Sequence, residues 1–392
     1  EAAKSGAQAQ PIVDAFLVNK RGPGALAAVL NRPGVTLLPE VALVGANRAS
    51  SAANKSEALV KAFQKVGKLK PMKLQLTKAE MEAMIIRVVG KGDPARGEKI
   101  YRRAGLQCVV CHAIGGAGGI IGPDLVSIGA SAPVDYLVES LLEPSKKIKE
   151  GYHTAVVTTK AGDVIAGAVA REDEREVVIR DATGKETRVP KSQIASKSMS
   201  PVSLMPLGLT ANLREDEYVD LVRFLSELGK EGAYKTTPNR FVRHWLVLQP
   251  HPRTPDGLGH YGTKFFADDF KESSWTPMVA KVNGGLPAEE LPRIRGRGRK
   301  NYGVGRFTLE VSKPGKVTLK ISGSLKDLDL FVGGKEVQLP GGKSSAAIEV
   351  DLQPGQHKVT VVGLLGVGFD EASVELLGDA GLARALTAAE LK

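Results

Sequence analysis

This 392-residue chain is poorest in cysteine, in aromatic residues and in long apolar runs. There are two cysteines, Cys108 and Cys111. They stand three positions apart, so a disulfide framework is excluded: one bridge would close a tiny loop and remove little unfolded-state entropy. Aromatic residues make up 5%, too few to suggest a base-stacking or sugar-stacking surface. No stretch approaches the roughly 18 apolar residues that a membrane-spanning helix needs. No nucleophile elbow, phosphate loop or recognisable pair of carboxylates is present. Asp268 and Asp269 are adjacent and would not share one strand face. Catalysis by the polypeptide itself is therefore not expected.

The length suits two or three domains, and 42% hydrophobic residues is ordinary for globular protein. A start at Glu1 rather than Met is expected of a processed form or an excised piece. The formal net charge is +11, which favours acidic partners over basic ones. The densest basic cluster, Arg293 to Lys300 ("RIRGRGRK"), reads as a solvated loop. No aromatics interleave with it, so nucleic-acid binding is not favoured.

Periodicity divides the chain. Residues 1–88 read as helical, with "ALAAVL", "SEALVKAFQKVG" and "KAEMEAMIIRVV" at helical spacing, and suggest the end of a helical-repeat array. A sharper helix opens at "GDPARGEKIYRRAG", where Asp93 can cap and Pro94 suits the first turn. "APVDYLVESLLEPSKKI" predicts another helix, ending near Pro144. From about 152 to 197 the period becomes two and predicts a strand meander. The helical pattern returns at "NLREDEYVDLVRFLSELG", with Asn212 and Glu215 as a capping box and Gly229 as its stop. Residues 236–305 read as an irregular linker. Residues 306–392 hold seven short alternating runs and predict an antiparallel β-sandwich. The fold class expected is multidomain α+β.

The two cysteines sit in "GLQCVVCHAIGG" with His112 directly after the second. A structural zinc site needs four ligands, and the next histidine, His153, has no partner at finger spacing. A thioredoxin-like dithiol belongs after a strand, but here a helix precedes it. The pattern C-x-x-C-H is that of covalent c-type haem attachment and uses every residue. Two thioethers would tether one haem c, and His112 would be its proximal ligand.

A second iron ligand would come from another segment. Met205 in "SLMPLGL" is the candidate, because Pro206 holds the Met205 backbone extended. Met199 and His153 are its rivals, the first reading as packing and the second as a strand-end residue. Ligation by Met and His raises the potential relative to two imidazoles and fills both axial positions.

The order "GDPARGEKIYRRAGLQCVVCH", "IGPDL", "SLMPLGL" and a closing amphipathic helix resembles class I cytochrome c. The meander between haem motif and Met loop is similar to the haem-binding CxxCH domain of planctomycete-type multidomain proteins. The resemblance covers about residues 89–232. It implies a haem domain over 89–235, with an α-helical cytochrome fold carrying the β insertion. It implies that Gly97 and Tyr101 pack on the last helix near Tyr218 or Phe224. It assigns Cys108 and Cys111 to attachment, His112 and Met205 to the iron, and Pro123 to the carbonyl that accepts the His112 proton.

The function expected from this resemblance is a periplasmic or cell-surface monohaem carrier of single electrons rather than an enzyme, alone or as the electron-accepting module of a larger oxidoreductase. Its redox partner would be acidic. Two alternatives stand beside it. One is a haem enzyme or gas sensor with an open distal site. The other is a polymer-binding protein whose C-terminal sandwich contacts carbohydrate or the cell surface. Trp245 and Trp275 fall outside the predicted strands and read as packing residues.

Overall fold

The computed structural model describes residues 6–51, 56–69, 73–103, 106–181, 184–211, 213–237, 239–250, 275–295, 300–366, 370–387 and 390. The chain forms two compact units, Glu1–Tyr234 and Lys235–Lys392. Together they are of mixed class, with helices in the first unit and antiparallel sheets in both.

The first unit opens with α1 (Gly6–Leu17), α2 (Gly22–Leu30), α3 (Pro39–Ser51) and α4 (Glu57–Val66). Their apolar stripes meet in one core that includes Val13, Leu17, Leu30, Leu59 and Phe63. Ser56 caps α4 by accepting the Leu59 N–H. Thr77 and Glu80 form a capping box for α5 (Lys78–Lys91).

Next come α6 (Pro94–Tyr101), the single turn α7 (Cys108–Cys111), the short pair β1 (Ala113–Ile114) and β2 (Ala117–Gly118), α8 (Ile128–Ser131) and α9 (Val134–Leu142). Asp93 caps α6 as the sequence suggests, accepting the Ala95 and Arg96 N–H groups. The meander is β3 (His153–Thr159), β4 (Val164–Glu172), β5 (Glu176–Arg180), β6 (Glu186–Pro190) and β7 (Ile194–Ser203). It forms one antiparallel sheet in the order β6-β5-β4-β3-β7, because the chain returns β7 to the far side of β3. Ala155, Val157, Val177, Ile179 and Val189 fill its buried face. The closing helix α10 (Glu215–Glu227) packs against α5, α6, α8 and α9.

Three expectations are corrected here. Helix α5 packs against α9 and α10, so the boundary expected at residue 88 cuts through elements that belong together. Asn212 lies outside the described residues, and α10 starts later than expected. Arg214 precedes it, and the Glu217 carboxylate accepts the Arg214 N–H at 3.1 Å. Residues 236–305 are not simply a linker: they supply β8 (His244–Leu248), β9 (Trp275–Val279), β10 (Leu286–Pro287) and β11 (Ile294–Arg295). Short strands interrupted by Pro and Gly hide their period in the sequence, which is why they read as irregular. Asp268 and Asp269 lie outside the described residues.

The second unit continues with β12 (Asn301–Val311), β13 (Gly315–Ser322), β14 (Leu328–Val332), β15 (Lys335–Val337), β16 (Ser345–Leu352), β17 (Gly355–Leu365), β18 (Glu371–Leu377) and β19 (Ala383–Ala385). One sheet runs β10-β18-β13-β16. The other runs β15-β14-β17-β12-β8-β9, with β11 and β19 also paired to β12. Trp245 is buried in the core between them, edge-on to Phe307 at 5.1 Å between ring centroids. Its indole N–H donates to the Val242 carbonyl, so the buried polar atom is satisfied.

Candidate functional site

The candidate site is built on the crossing of α6 and α10. Gly97 faces the backbone of α10, where a methyl group would lie 2.0 Å from the Asp220 carbonyl oxygen and 2.6 Å from Phe224 Cβ. Only the absence of a side chain allows this approach. One turn on, Tyr101 meets Phe224 at 5.7 Å between ring centroids. Phe224 is thus the partner, while the Tyr218 hydroxyl donates to the Val138 carbonyl on α9. The buried Asp220 carboxylate locks the crossing. It accepts the Asp93 N–H at 2.8 Å and the Arg96 guanidinium at 2.8 and 3.3 Å.

This crossing fixes the end of α6, and with it the turn that carries the cysteines. Gln107 starts α7 with φ of 58°, a left-handed conformation uncommon for a side-chain-bearing residue. Cys108 and Cys111 then lie on one helical turn, both half-buried and both free thiols. Burial pushes the Cys108 thiol up to about 12 and raises Cys111 as well. Both are therefore protonated at neutral pH. A reactive dithiol requires a ready thiolate, so the environment disfavours that reading.

His112 is held from three directions. Its Nδ1 lies 2.8 Å from the Pro123 carbonyl oxygen, so Nδ1 carries the proton and donates it. Its own carbonyl accepts the Tyr101 hydroxyl at 2.9 Å. Gly122 lies against the ring: a Cβ there would be 2.5 Å from Cε1. Desolvation lowers the His112 pKa, against the Pro123 hydrogen bond and the nearby Asp124 charge. The result is a neutral imidazole whose Nε2 keeps its lone pair. Among the described residues no hydrogen bond engages Nε2.

The loop after His112 is pinned by Asp124. Its carboxylate accepts the N–H groups of Gly115, Gly116 and Val126 at 2.7 to 2.9 Å. Gly119 and Gly122 donate to the carbonyls of Val109 and Cys111, both at 2.8 Å. Sequence reasoning did not single out Asp124, although its position after Pro123 in "IGPDL" was a usable signal. It gave Tyr101 a packing role and missed its hydroxyl.

The structure thus brings together Cys108, Cys111, His112 and Pro123. Met205 comes from the segment just beyond β7, where its N–H donates to the Ser203 hydroxyl at 3.1 Å. The Thr210 hydroxyl ties the same segment to the Leu141 carbonyl at 3.3 Å. Among the described residues no hydrogen bond joins Met205 to the cysteine turn. Met199 is exposed on β7 opposite Ala155, and half-buried His153 starts β3 opposite Ser203.

No family model matches the chain, and no curated protein matches it. Among solved structures, the chain is similar to a β-glucosidase from Kluyveromyces marxianus. In its glucose complex that match has 9% identity, a TM-score of 0.21, and covers 37% of this chain and 16% of that one. It is also similar to a GH31 α-xylosidase from Xanthomonas citri, with 15% identity and a TM-score of 0.22, covering 38% of this chain and 17% of that one. The chain therefore spans about a sixth of the length of the structures it matches.

These findings correct the expected function. Neither of the two enzymes found similar is a cytochrome, and likeness at these TM-scores carries no argument about function. No comparison supports single-electron carriage through a His/Met-ligated haem, and it is not retained as the function of the chain. Likeness at these TM-scores assigns no glycosidase chemistry to it either.

Proposed function

We propose that the first unit binds one haem covalently, through Cys108 and Cys111, with His112 holding its iron. The observation that carries this reading is the hydrogen bond from His112 Nδ1 to the Pro123 carbonyl. It fixes the tautomer that leaves the Nε2 lone pair available, and it holds the ring in one orientation.

The residues present fit such a group. Both thiols are free and protonated, on one turn directly before the imidazole. Burial keeps the imidazole neutral, the form that coordinates iron. Tyr101, Asp124 and Gly122 fix the backbone on either side of it. Met205 would be a second residue to hold the iron. When bound, the haem would supply an iron centre whose properties depend on its axial ligands and on the hydrogen bonds made to them. The protein's part is to attach, orient and partly bury that group.

The test is an alkaline pyridine spectrum of the denatured full chain, produced together with a cytochrome c maturation system. The expected result is the spectrum of a haem with both vinyl groups saturated, moving toward the single-thioether form in Cys108→Ser. Haem that separates completely from the polypeptide on denaturation would refute the proposal.

A further inference from the structure

We infer that Arg180, on the inserted sheet, is a positioning residue for the loop that orients His112. Its place follows from strand register: Arg180 ends β5, opposite Ala168 of β4 and Glu186 of β6. Its Nη1 donates to the Ile120 carbonyl at 2.9 Å, across sixty positions of sequence. Its Nε and Nη2 both donate to one carboxylate oxygen of Glu186, at 3.1 and 2.5 Å. The cross-strand carboxylate therefore aims the guanidinium, and an N–H on Nη1 reaches the loop. Beside it, the β5–β6 turn approaches buried Ile121: a Cβ on Gly184 would lie 3.9 Å from that side chain.

Ile120 and Ile121 are the middle of a short strap. On one side, Gly119 and Gly122 tie it to the cysteine turn. At its end, the Pro123 carbonyl takes the His112 proton. Without Arg180, the Ile120 carbonyl loses this side-chain donor, and the centre of the strap keeps only the packing of buried Ile121. The sheet thus braces, from outside, the segment that sets the imidazole's orientation. An exposed ion pair would contribute little by itself. Here the Arg180 side chain is 21% exposed against 46% for Glu186, and what matters is its charge-assisted hydrogen bond to a backbone carbonyl.

The consequence for a haem rests on the reading proposed above, whereas the brace itself does not. The experiment therefore has two arms, on the full-length chain and on its Arg180→Ala and Arg180→Lys variants. The first arm is amide hydrogen exchange in the haem-free chain. Loss of one charge-assisted bond speeds exchange at Gly119 and Gly122 roughly tenfold in Arg180→Ala. Amides of Val157 and Val177 in the sheet keep their rates, and Arg180→Lys, which can still donate, restores the loop. The second arm is the midpoint potential of the haem-loaded chain, expected to move in Arg180→Ala and to return in Arg180→Lys.

Unchanged exchange at Gly119 and Gly122 overturns the inference. So does an acceleration shared equally by the sheet amides, or one that Lys does not rescue. If the loop amides respond as expected but the chain takes up no haem, the brace stands and the haem reading falls. If haem is bound while neither amides nor potential respond, the reverse holds.

Discussion

Replacing Gly97 with Ala places one methyl group in the close crossing of α6 and α10. The added carbon would sit 2.0 Å from the Asp220 carbonyl oxygen, 2.7 Å from its carbonyl carbon and 2.6 Å from Phe224 Cβ. Two of these atoms are helix backbone, so no side-chain rotation relieves the clash and α6 must move away from α10. Overpacking of this kind costs about 1–3 kcal/mol. Separation also lengthens the bonds from Asp93 N–H and Arg96 to Asp220, each charge-assisted bond being worth about 1.5–3 kcal/mol. Against this, Ala is the better helix former by about 1 kcal/mol. The net expectation is a loss of about 2–4 kcal/mol, or a fall of roughly 1–2 M in urea midpoint for a unit of this size. Far-UV circular dichroism reads it, because all the α-helices among the described residues lie in the first unit. Fluorescence is the control: Trp245 and Trp275 are the chain's two tryptophans, and both lie in the second unit. A helical midpoint equal to or above that of the parent chain, with fluorescence unchanged, would refute the argument that this glycine exists for close approach.

Three further outcomes follow from the same geometry. Tyr101→Phe leaves the His112 carbonyl without its hydroxyl partner and lowers first-unit stability by about 1–2 kcal/mol in the same urea titration; no change would mean that another donor serves that carbonyl. In the haem-free chain, Cys108 has roughly a thousandfold less thiolate at pH 8 than an unperturbed thiol. Timed alkylation with peptide mapping should find Cys108 slow and should find its rate still rising toward pH 12. Hydrogen bonds from Lys146 and then Lys147 hold the Glu139 carboxyl below its ordinary value of 4.5. Its contribution is present above that value and is lost as pH falls through the depressed one. The urea midpoint between about pH 6 and pH 3 should therefore slope less in Glu139→Gln.

Signals made of neighbouring residues were legible in the sequence. Asp93 followed by Pro94 announced the start of α6, and it caps there. The change of period near residue 152 announced the meander, whose strands begin at His153. The turn of the candidate site was readable because Cys108, Cys111 and His112 fall within five consecutive residues. What escaped depended on partners distant in sequence. Nothing local to Arg180 reveals that it reaches Ile120, and nothing around Asp220 reveals that it anchors the start of α6. Strand β8 escaped for another reason. Trp245 and Val247 are buried because β9 and β12 flank them, and β9 follows only after a long Pro- and Gly-rich stretch. Asn212 looked like a cap by type alone, whereas the local hydrogen bonding placed the helix start at Arg214 and Glu217.

The most direct measurement is the intact mass of the purified full-length chain under denaturing conditions, after production with haem maturation, alongside a count of thiols open to alkylation. The account predicts the mass of the polypeptide plus one haem, with neither Cys108 nor Cys111 available to the reagent. A mass equal to the polypeptide alone, with both thiols alkylated, would contradict it.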